Sequence, residues 1–224
     1  MKQEEKNSVT SWWWIRHAPV TSFEGRLYGN TDVPANTQNP EPFRWLAHQI
    51  PQKALWVVSH LQRTQQTADA IAEMGCSISK PLVEKSLGEQ CFGDWQGLTY
   101  EEVSSQKAGK NHPFWIAPAH YTAPNGESFA DVMSRVSATV RRLSMEHMGN
   151  DIVAVAHGGT IRSALGFALN IPPDNALFFS IDNLSITRID CFHKPGGEMD
   201  WCVIGVNLCP SFSRPYGVVF PPRR

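Results

Sequence analysis

The 224-residue sequence predicts an α/β domain of three layers, α/β/α, built on a largely parallel sheet covered by helices on both faces. Three observations carry that expectation. Short apolar runs bounded by polar or turn residues recur along the chain, as buried strands do. Segments with helical spacing fall between several of them. Two of the runs, Trp12–Ile15 and Ile152–Ala156, deliver a histidine to their carboxyl ends, which is where open parallel sheets bind ligands.

The elements follow in order. Trp12–Ile15 is the first strand and leads into Arg16-His17. Asn39-Pro40-Glu41 starts a helix, with Asn39 as N-cap and Pro40 at the first helical position, where its missing N–H costs little. Phe43, Leu46, Ala47 and Ile50 form its inward stripe. Leu55–Val58 is the second strand, and Thr64 to Met74 is a helix ended by Gly75, a residue that accepts positive φ. Gly88 to Gly97 is a loop holding Glu89, Asp94 and Trp95, and Thr99-Tyr100-Glu101-Glu102 after it is a capping box. Lys107 to Gly126 is polar and aromatic, with His112, Trp115, His120 and Tyr121, and reads as a lid or binding loop.

From Ser128, the spacing of Phe129, Val132, Met133, Val136, Val140 and Leu143 predicts an amphipathic helix, with Arg141 and Arg142 on its solvated face. Ile152–Ala156 is the third strand. Gly158-Gly159 opens a helix through Ile161, Leu165 and Leu169 that Pro172 and Pro173 stop. Leu184–Ile189 and Trp201–Val206 are the last strands. The tail after Asn207 is too proline-rich for a further helix. The chain therefore reads as one domain over 1–224, with a core from about 11 to 207 between short tails.

Composition narrows the function. A formal net charge of -1 and a pI near 6.7 give nothing that draws the chain to nucleic acid or to an anionic membrane, so basic character belongs to a pocket. Met1 to Thr10 has no apolar signal region, and no window approaches the roughly 18 apolar residues of a membrane span. A soluble cytoplasmic protein is expected. Cys76, Cys91, Cys191, Cys202 and Cys209 lack CxxC spacing and read as buried free thiols. The histidines show no HExxH or comparable spacing, so neither a metal nor another cofactor is expected.

The chemistry-bearing residues suggest a phosphate site containing a nucleophile. A neutral imidazole on His17 can attack phosphorus in line and form a phosphohistidine, with Arg16 on the same oxygens. Arg63, at the junction after the second strand, supplies a second planar fork that matches phosphoryl oxygens. His157 would donate to them as well, and Gly158-Gly159 lets helix N–H groups approach an anion. The departing alkoxide needs a proton. Glu89 is the candidate general acid, because a neighbouring phosphate dianion and partial burial both favour its protonated form. Asp94 and Glu127 compete for that role, against plainer readings as a turn residue and a helix N-terminal acid.

Taken in order, Arg16-His17-Ala18, Ser59-x-Leu61-x-Arg63-Thr64-x-Gln66-Thr67-Ala68, Leu87-Gly88-Glu89, Phe92-Gly93-x-Trp95-x-Gly97, Gly126-Glu127-Ser128 and Val155-Ala156-His157-Gly158-Gly159-x-Ile161-Arg162 resemble the histidine phosphatase superfamily, with its phosphoglycerate mutase-like fold. The ordered set spans about Trp12 to Leu169. The resemblance implies phosphorylation of His17, a phosphate pocket of Arg16, Arg63 and His157, Glu89 as proton donor, a mixed but mainly parallel sheet, and no metal. Tyr28-Gly29-Asn30-Thr31-Asp32-Val33-Pro34 and the Phe-Gly-x-Trp-x-Gly loop look most like the bacterial small-molecule branch that includes α-ribazole phosphatase and fructose-2,6-bisphosphatase-like enzymes.

Two departures stand out. Ala18-Pro19 replaces the glycine that usually follows the histidine, and Phe23 stands near the place of a usual asparagine, for which Asn30 is the candidate substitute. The expected function is hydrolysis of a small phosphate ester, independent of metal. The alternatives are a phosphoglycerate mutase and a non-catalytic phospho-ligand binding module. Lys107 and Lys110 are the only lysines between Tyr100 and Gly126, where the mutases resemble a longer and more basic insert, and this favours hydrolysis. Specificity is expected from the 23–32 loop together with His112, Trp115, His120 and Tyr121.

Overall fold

The computed structural model describes residues 8–23, 25–106 and 112–210. The expectations for the two tails, beyond Ser8–Thr10 and Leu208–Pro210, and for Lys107 and Lys110 lie outside them. Six strands form one sheet: β1 (Ser8–Arg16), β2 (Leu55–Val58), β3 (Leu82–Val83), β4 (Asp151–Ala156), β5 (Ile186–His193) and β6 (Met199–Leu208), in the spatial order β3-β2-β4-β1-β5-β6. The first four run parallel, and β5 is antiparallel to both of its neighbours. The sheet is thus mixed and mainly parallel.

Alternation along the strands explains why the sheet is covered twice. Trp12, Trp14, Val57, Ile152 and Ala154 face one core with α4 (Phe129–Glu146) and α5 (Gly158–Ala168), through Val132, Val136, Val140, Ile161 and Leu165. Ile15, Trp56, Val58, Val153 and Val155 face the other with α1 (Glu41–Gln49) and α2 (Gln62–Ala72), through Phe43, Leu46, Ala68 and Ile71. Strands buried on both faces read as continuous apolar runs, as these do.

Several boundaries differ from the sequence reading, each for a local reason. In α1 the N-cap is Pro40, not Asn39, although the Asn39 side chain accepts the Glu41 N–H at 3.2 Å. The second helix begins two residues early because Asp32, thirty positions upstream, accepts the Gln62 N–H at 2.7 Å. It ends at Ala72, and Gly75 closes the turn beyond at φ 93. Strand β5 starts at Ile186, after Leu184, which sits at positive φ and donates its N–H to the Arg16 carbonyl. The two-residue β3 carries no readable apolar run. Against the expectation of burial, Cys202 is exposed, because it lies on the edge strand β6, and Cys91 and Cys209 are half-buried; none of the five cysteines forms a disulfide among the described residues.

Two capping boxes form, the one read at Thr99 and a second at Ser128 that the sequence reading did not single out. Ser128 accepts the Asp131 N–H while the Asp131 carboxylate accepts the Ser128 N–H, a pairing worth about 1 kcal/mol. Thr99 and Glu102 make the same exchange at the start of α3 (Tyr100–Gln106). Among the described residues no helix is long and apolar enough to cross a membrane.

Candidate active site

The order β2-β4-β1 brings three strand ends side by side, and Ser59, His157 and Arg16-His17 emerge there together. The His17 N–H donates to the Ala156 carbonyl at 3.0 Å, so the two histidine-bearing ends are tied directly. The imidazole centroids of His17 and His157 lie 5.1 Å apart, and the two residues are 1% and 0% exposed.

Each ring is held by one nitrogen. His17 Nδ1 lies 2.7 Å from the Ala18 carbonyl, which can only accept, so Nδ1 carries the proton and Nε2 keeps its lone pair. His157 Nε2 lies 2.8 Å from Ser59 Oγ. The Ser59 hydroxyl accepts the Leu61 N–H and has two acceptors within reach, Thr64 Oγ1 at 3.2 Å and the nearer Nε2; donation to Nε2 puts the His157 proton on Nδ1. Burial, with Arg63 and Arg16 close by, holds the His17 pKa well below 6.5. Burial and the same arginines, with His17, do the same to His157. Both rings are neutral near pH 7.

The arginines complete an anion cradle. Arg16 gives Nη1 to the Ile181 carbonyl at 2.6 Å. Arg63, 0% exposed, gives its two terminal nitrogens to the carbonyls of Gly29 and Thr31 at 2.7 and 2.8 Å. The 28–31 turn, with Gly29 at φ 45, takes one N–H from each terminal nitrogen and so fixes the plane of the guanidinium, with Nε left without a partner. Arg16 Nε, Arg63 Nε and His157 Nδ1 are all buried donors without a partner. Such groups cost free energy unless an acceptor meets them, and an anion between them would satisfy all three.

Glu89 reaches this cluster from the loop after the one-turn helix Lys85–Leu87. Its carboxylate accepts the Gly159 N–H at 3.1 Å and the Gln90 N–H at 3.0 Å. A Cβ at Gly159 would lie 2.4 Å from Glu89 Oε1, so a side chain there would push the carboxylate out of this position. A cavity of about 550 Å³ opens onto Arg16, Glu89, Gly158 and Arg162, under a roof of Tyr100, Phe114, Trp115 and Ile116. A smaller lobe adds Tyr28 and Gly29.

Other candidates lie elsewhere. Asp94 accepts from Asn125 Nδ2, while Glu127 pairs with Arg135 and the Cys91 N–H, and neither lines the cavity. Asn30 does not line it either: its N–H goes to Gln96 Oε1, and the turn presents Tyr28 and Gly29 instead. Of the four lid residues only Trp115 reaches the cavity. His112 packs on Phe114 and Phe178, His120 is exposed, and Tyr121 stacks on Trp95. Ala18 has no positive φ, so its methyl is unstrained, whereas Phe23 sits at φ 71.

Some contributors were not singled out from sequence. Arg135 ties Glu127 to the carbonyls of Ser86, Gly88 and Glu89 and so braces the Glu89 loop. Asn183 Nδ2 donates to the His17 carbonyl at 2.7 Å. Ser59 and Arg162 stand inside the quoted motifs but had no assigned role, and no local pattern marks Arg135 or Asn183. Among the described residues, no three His, Cys, Asp or Glu side chains are grouped as metal ligands.

Comparison with known proteins places this geometry. Branch 1 of the histidine phosphatase superfamily matches residues 12–201. The chain belongs to that superfamily. It is 31% identical over 154 residues to phosphoglycerate mutase-like protein 4 of Arabidopsis thaliana, covering 66% of each chain. It is 30% identical over 158 residues to a glucosyl-3-phosphoglycerate phosphatase of Mycobacterium tuberculosis, covering 66% of this chain and 70% of that one. The chain spans about two thirds of the length of those curated relatives, and 30% of the M. tuberculosis bifunctional protein Rv2228c. Among solved structures, mycobacterial hydrolase 1 superposes with a TM-score of 0.77 at 26% identity, over 89% of this chain and 99% of that one. This member of the superfamily therefore shares its overall fold with that structure.

Proposed function

We propose that this protein is a phosphomonoesterase that hydrolyses a small phosphorylated metabolite through a phosphohistidine at His17, without a metal ion. One observation carries the reading most: the free Nε2 of a neutral His17 stands beside three buried donors that lack an acceptor. In the first step Nε2 forms a bond to phosphorus while the P–O bond to the alcohol breaks, and Glu89 gives its proton to the departing oxygen. Arg16, Arg63 and His157 stabilise the charge on the three phosphoryl oxygens. In the second step water attacks phosphorus, Glu89 takes its proton, and the P–N bond breaks to return His17.

The family match and the 30%-identical glucosyl-3-phosphoglycerate phosphatase support hydrolysis. Small sugar phosphates and α-ribazole 5′-phosphate are the candidate substrates, the latter from the resemblance of the 28–34 turn and the 92–97 loop. The substrate is a soluble small molecule, and we place the enzyme in the cytoplasm.

The test is phosphate release from a panel of phosphomonoesters in EDTA, for the wild type and His17→Ala. Activity that survives chelation and disappears in the variant is expected. Activity needing a bisphosphorylated primer would assign a mutase instead, and a folded protein that binds phosphate but releases none would assign a binding module.

A further inference from the structure

Arg162 is a cation that the phosphoryl chemistry leaves unused. It stands at the fifth residue of α5, and its side chain lines the main cavity. One edge of the guanidinium is fixed, with Nε donating to the Phe179 carbonyl at 2.8 Å. One face is fixed too, with Cζ 4.5 Å from the centroid of the Trp115 ring. Trp115 is itself held by Nε1 donating to Gln90 Oε1, whose Nε2 donates to the Glu127 carbonyl. The terminal nitrogens make no hydrogen bond among the described residues. Nη1 would come 3.1 Å from a Cβ at Gly158, beside Arg16 Nε at 3.6 Å, so the two guanidiniums approach the same glycine.

Among the described residues no carboxylate forms an ion pair with this arginine; Glu89 and Asp182 are the acids that face it. Glu89 caps α5, while Asp182 accepts from the Asn207 side chain. The described roof residues Tyr100, Val103, Pro113, Phe114 and Ile116 add no charge. Burial and the neighbouring Arg16 lower the Arg162 pKa to about 10, which still leaves it charged at neutral pH. A guanidinium fixed at one edge and one face offers its remaining edge as a fork for an oxyanion.

We propose that Arg162 is a specificity residue that binds an anionic group, a carboxylate or a second phosphate, carried by the leaving alcohol close to the scissile ester. The proposal rests on the phosphomonoesterase reading of the site. Among the candidate substrates it favours esters whose alcohol carries an acidic group, such as bisphosphorylated sugars, over esters of neutral alcohols such as α-ribazole.

The discriminating pair is 3-phosphoglycerate and glycerol 3-phosphate, which differ by a carboxylate in place of a hydroxymethyl group. Wild type should favour 3-phosphoglycerate by about ten- to hundredfold in kcat/KM, the range of one charge-assisted contact. Arg162→Gln should erase that preference, mostly through KM, while keeping activity on glycerol 3-phosphate. Arg162→Lys should restore part of it. Equal affinity for both esters in wild type, or equal losses on both in Arg162→Gln and Arg162→Lys, would overturn the proposal and make Arg162 structural or part of the phosphoryl cradle. Binding of both esters to His17→Ala protein by calorimetry reads the same preference without turnover. It therefore separates a failure at Arg162 from a failure of the hydrolase reading, which would appear as no phosphate release from any ester.

Discussion

Ser59 Oγ lies 2.8 Å from His157 Nε2, and this single bond decides which nitrogen of His157 faces the phosphate cradle. Ser59 follows β2 and His157 follows β4, so the parallel pairing of these strands creates the contact. In Ser59→Ala the ring loses its partner and its tautomeric bias. We expect kcat/KM to fall about tenfold or more, bounded by the roughly 10²–10³-fold cost of losing one such donor. Steady-state kinetics on one ester, with phosphate affinity measured alongside, checks this.

The buried neutral histidines set an acid limit on stability. The folded pKa values of His17 and His157 lie below 6.5, so between 6.5 and those values the unfolded chain binds protons that the folded chain does not. Stability is therefore full above about pH 6.5 and declines as pH falls below it, by up to about 1.4 kcal/mol per pH unit for each ring. Denaturation midpoints between pH 7.5 and 5 should fall, and His157→Gln should reduce the slope. The nucleophile stays neutral over the same range, so the acid limb of kcat/KM for His17 should lie below pH 6.5.

Glu89→Gln separates proton donation from binding. Alkyl phosphates, whose alkoxide needs a proton, should lose about 10²–10⁴-fold in kcat, while p-nitrophenyl phosphate, with its good leaving group, should lose far less. Equal losses on both would remove Glu89 as the acid.

Arg135 acts on Glu89 at one remove. Its guanidinium joins the Glu127 carboxylate to the carbonyls of Ser86, Gly88 and Glu89. Arg135→Met leaves those partly buried acceptors unpaired and should cost about 2–3 kcal/mol in urea denaturation. Through the loosened loop it should also lower turnover of alkyl phosphates more than that of p-nitrophenyl phosphate. A variant that loses stability while keeping the wild-type ratio between the two esters would show a purely structural brace.

Ala18 suits its site. It is 0% exposed, lacks positive φ, and gives its N–H to Thr67 Oγ1 at 2.9 Å. Ala18→Gly should lower stability by about 0.4–1 kcal/mol through the freer unfolded chain and leave kcat/KM unchanged. Thermal denaturation with parallel kinetics tests both parts.

The sequence by itself determined the α/β class, the strands that carry Arg16-His17 and His157, the capping box at Thr99, and the family. These are local: an apolar run, a cap and a motif act over a few residues, so the chain displays them in order. Only the tertiary structure decided which donors remain for a ligand. The Gly29 and Thr31 carbonyls fix the plane of Arg63, the Asp32 carboxylate starts α2, Arg135 braces the Glu89 loop, and Asn30 turns away while Arg162 turns in. Each depends on a hydrogen bond or packing contact across 30 or more positions, or on which way a side chain leaves its turn. Spacing along the chain carries no record of such directions, because packing selects them only when the strand ends meet.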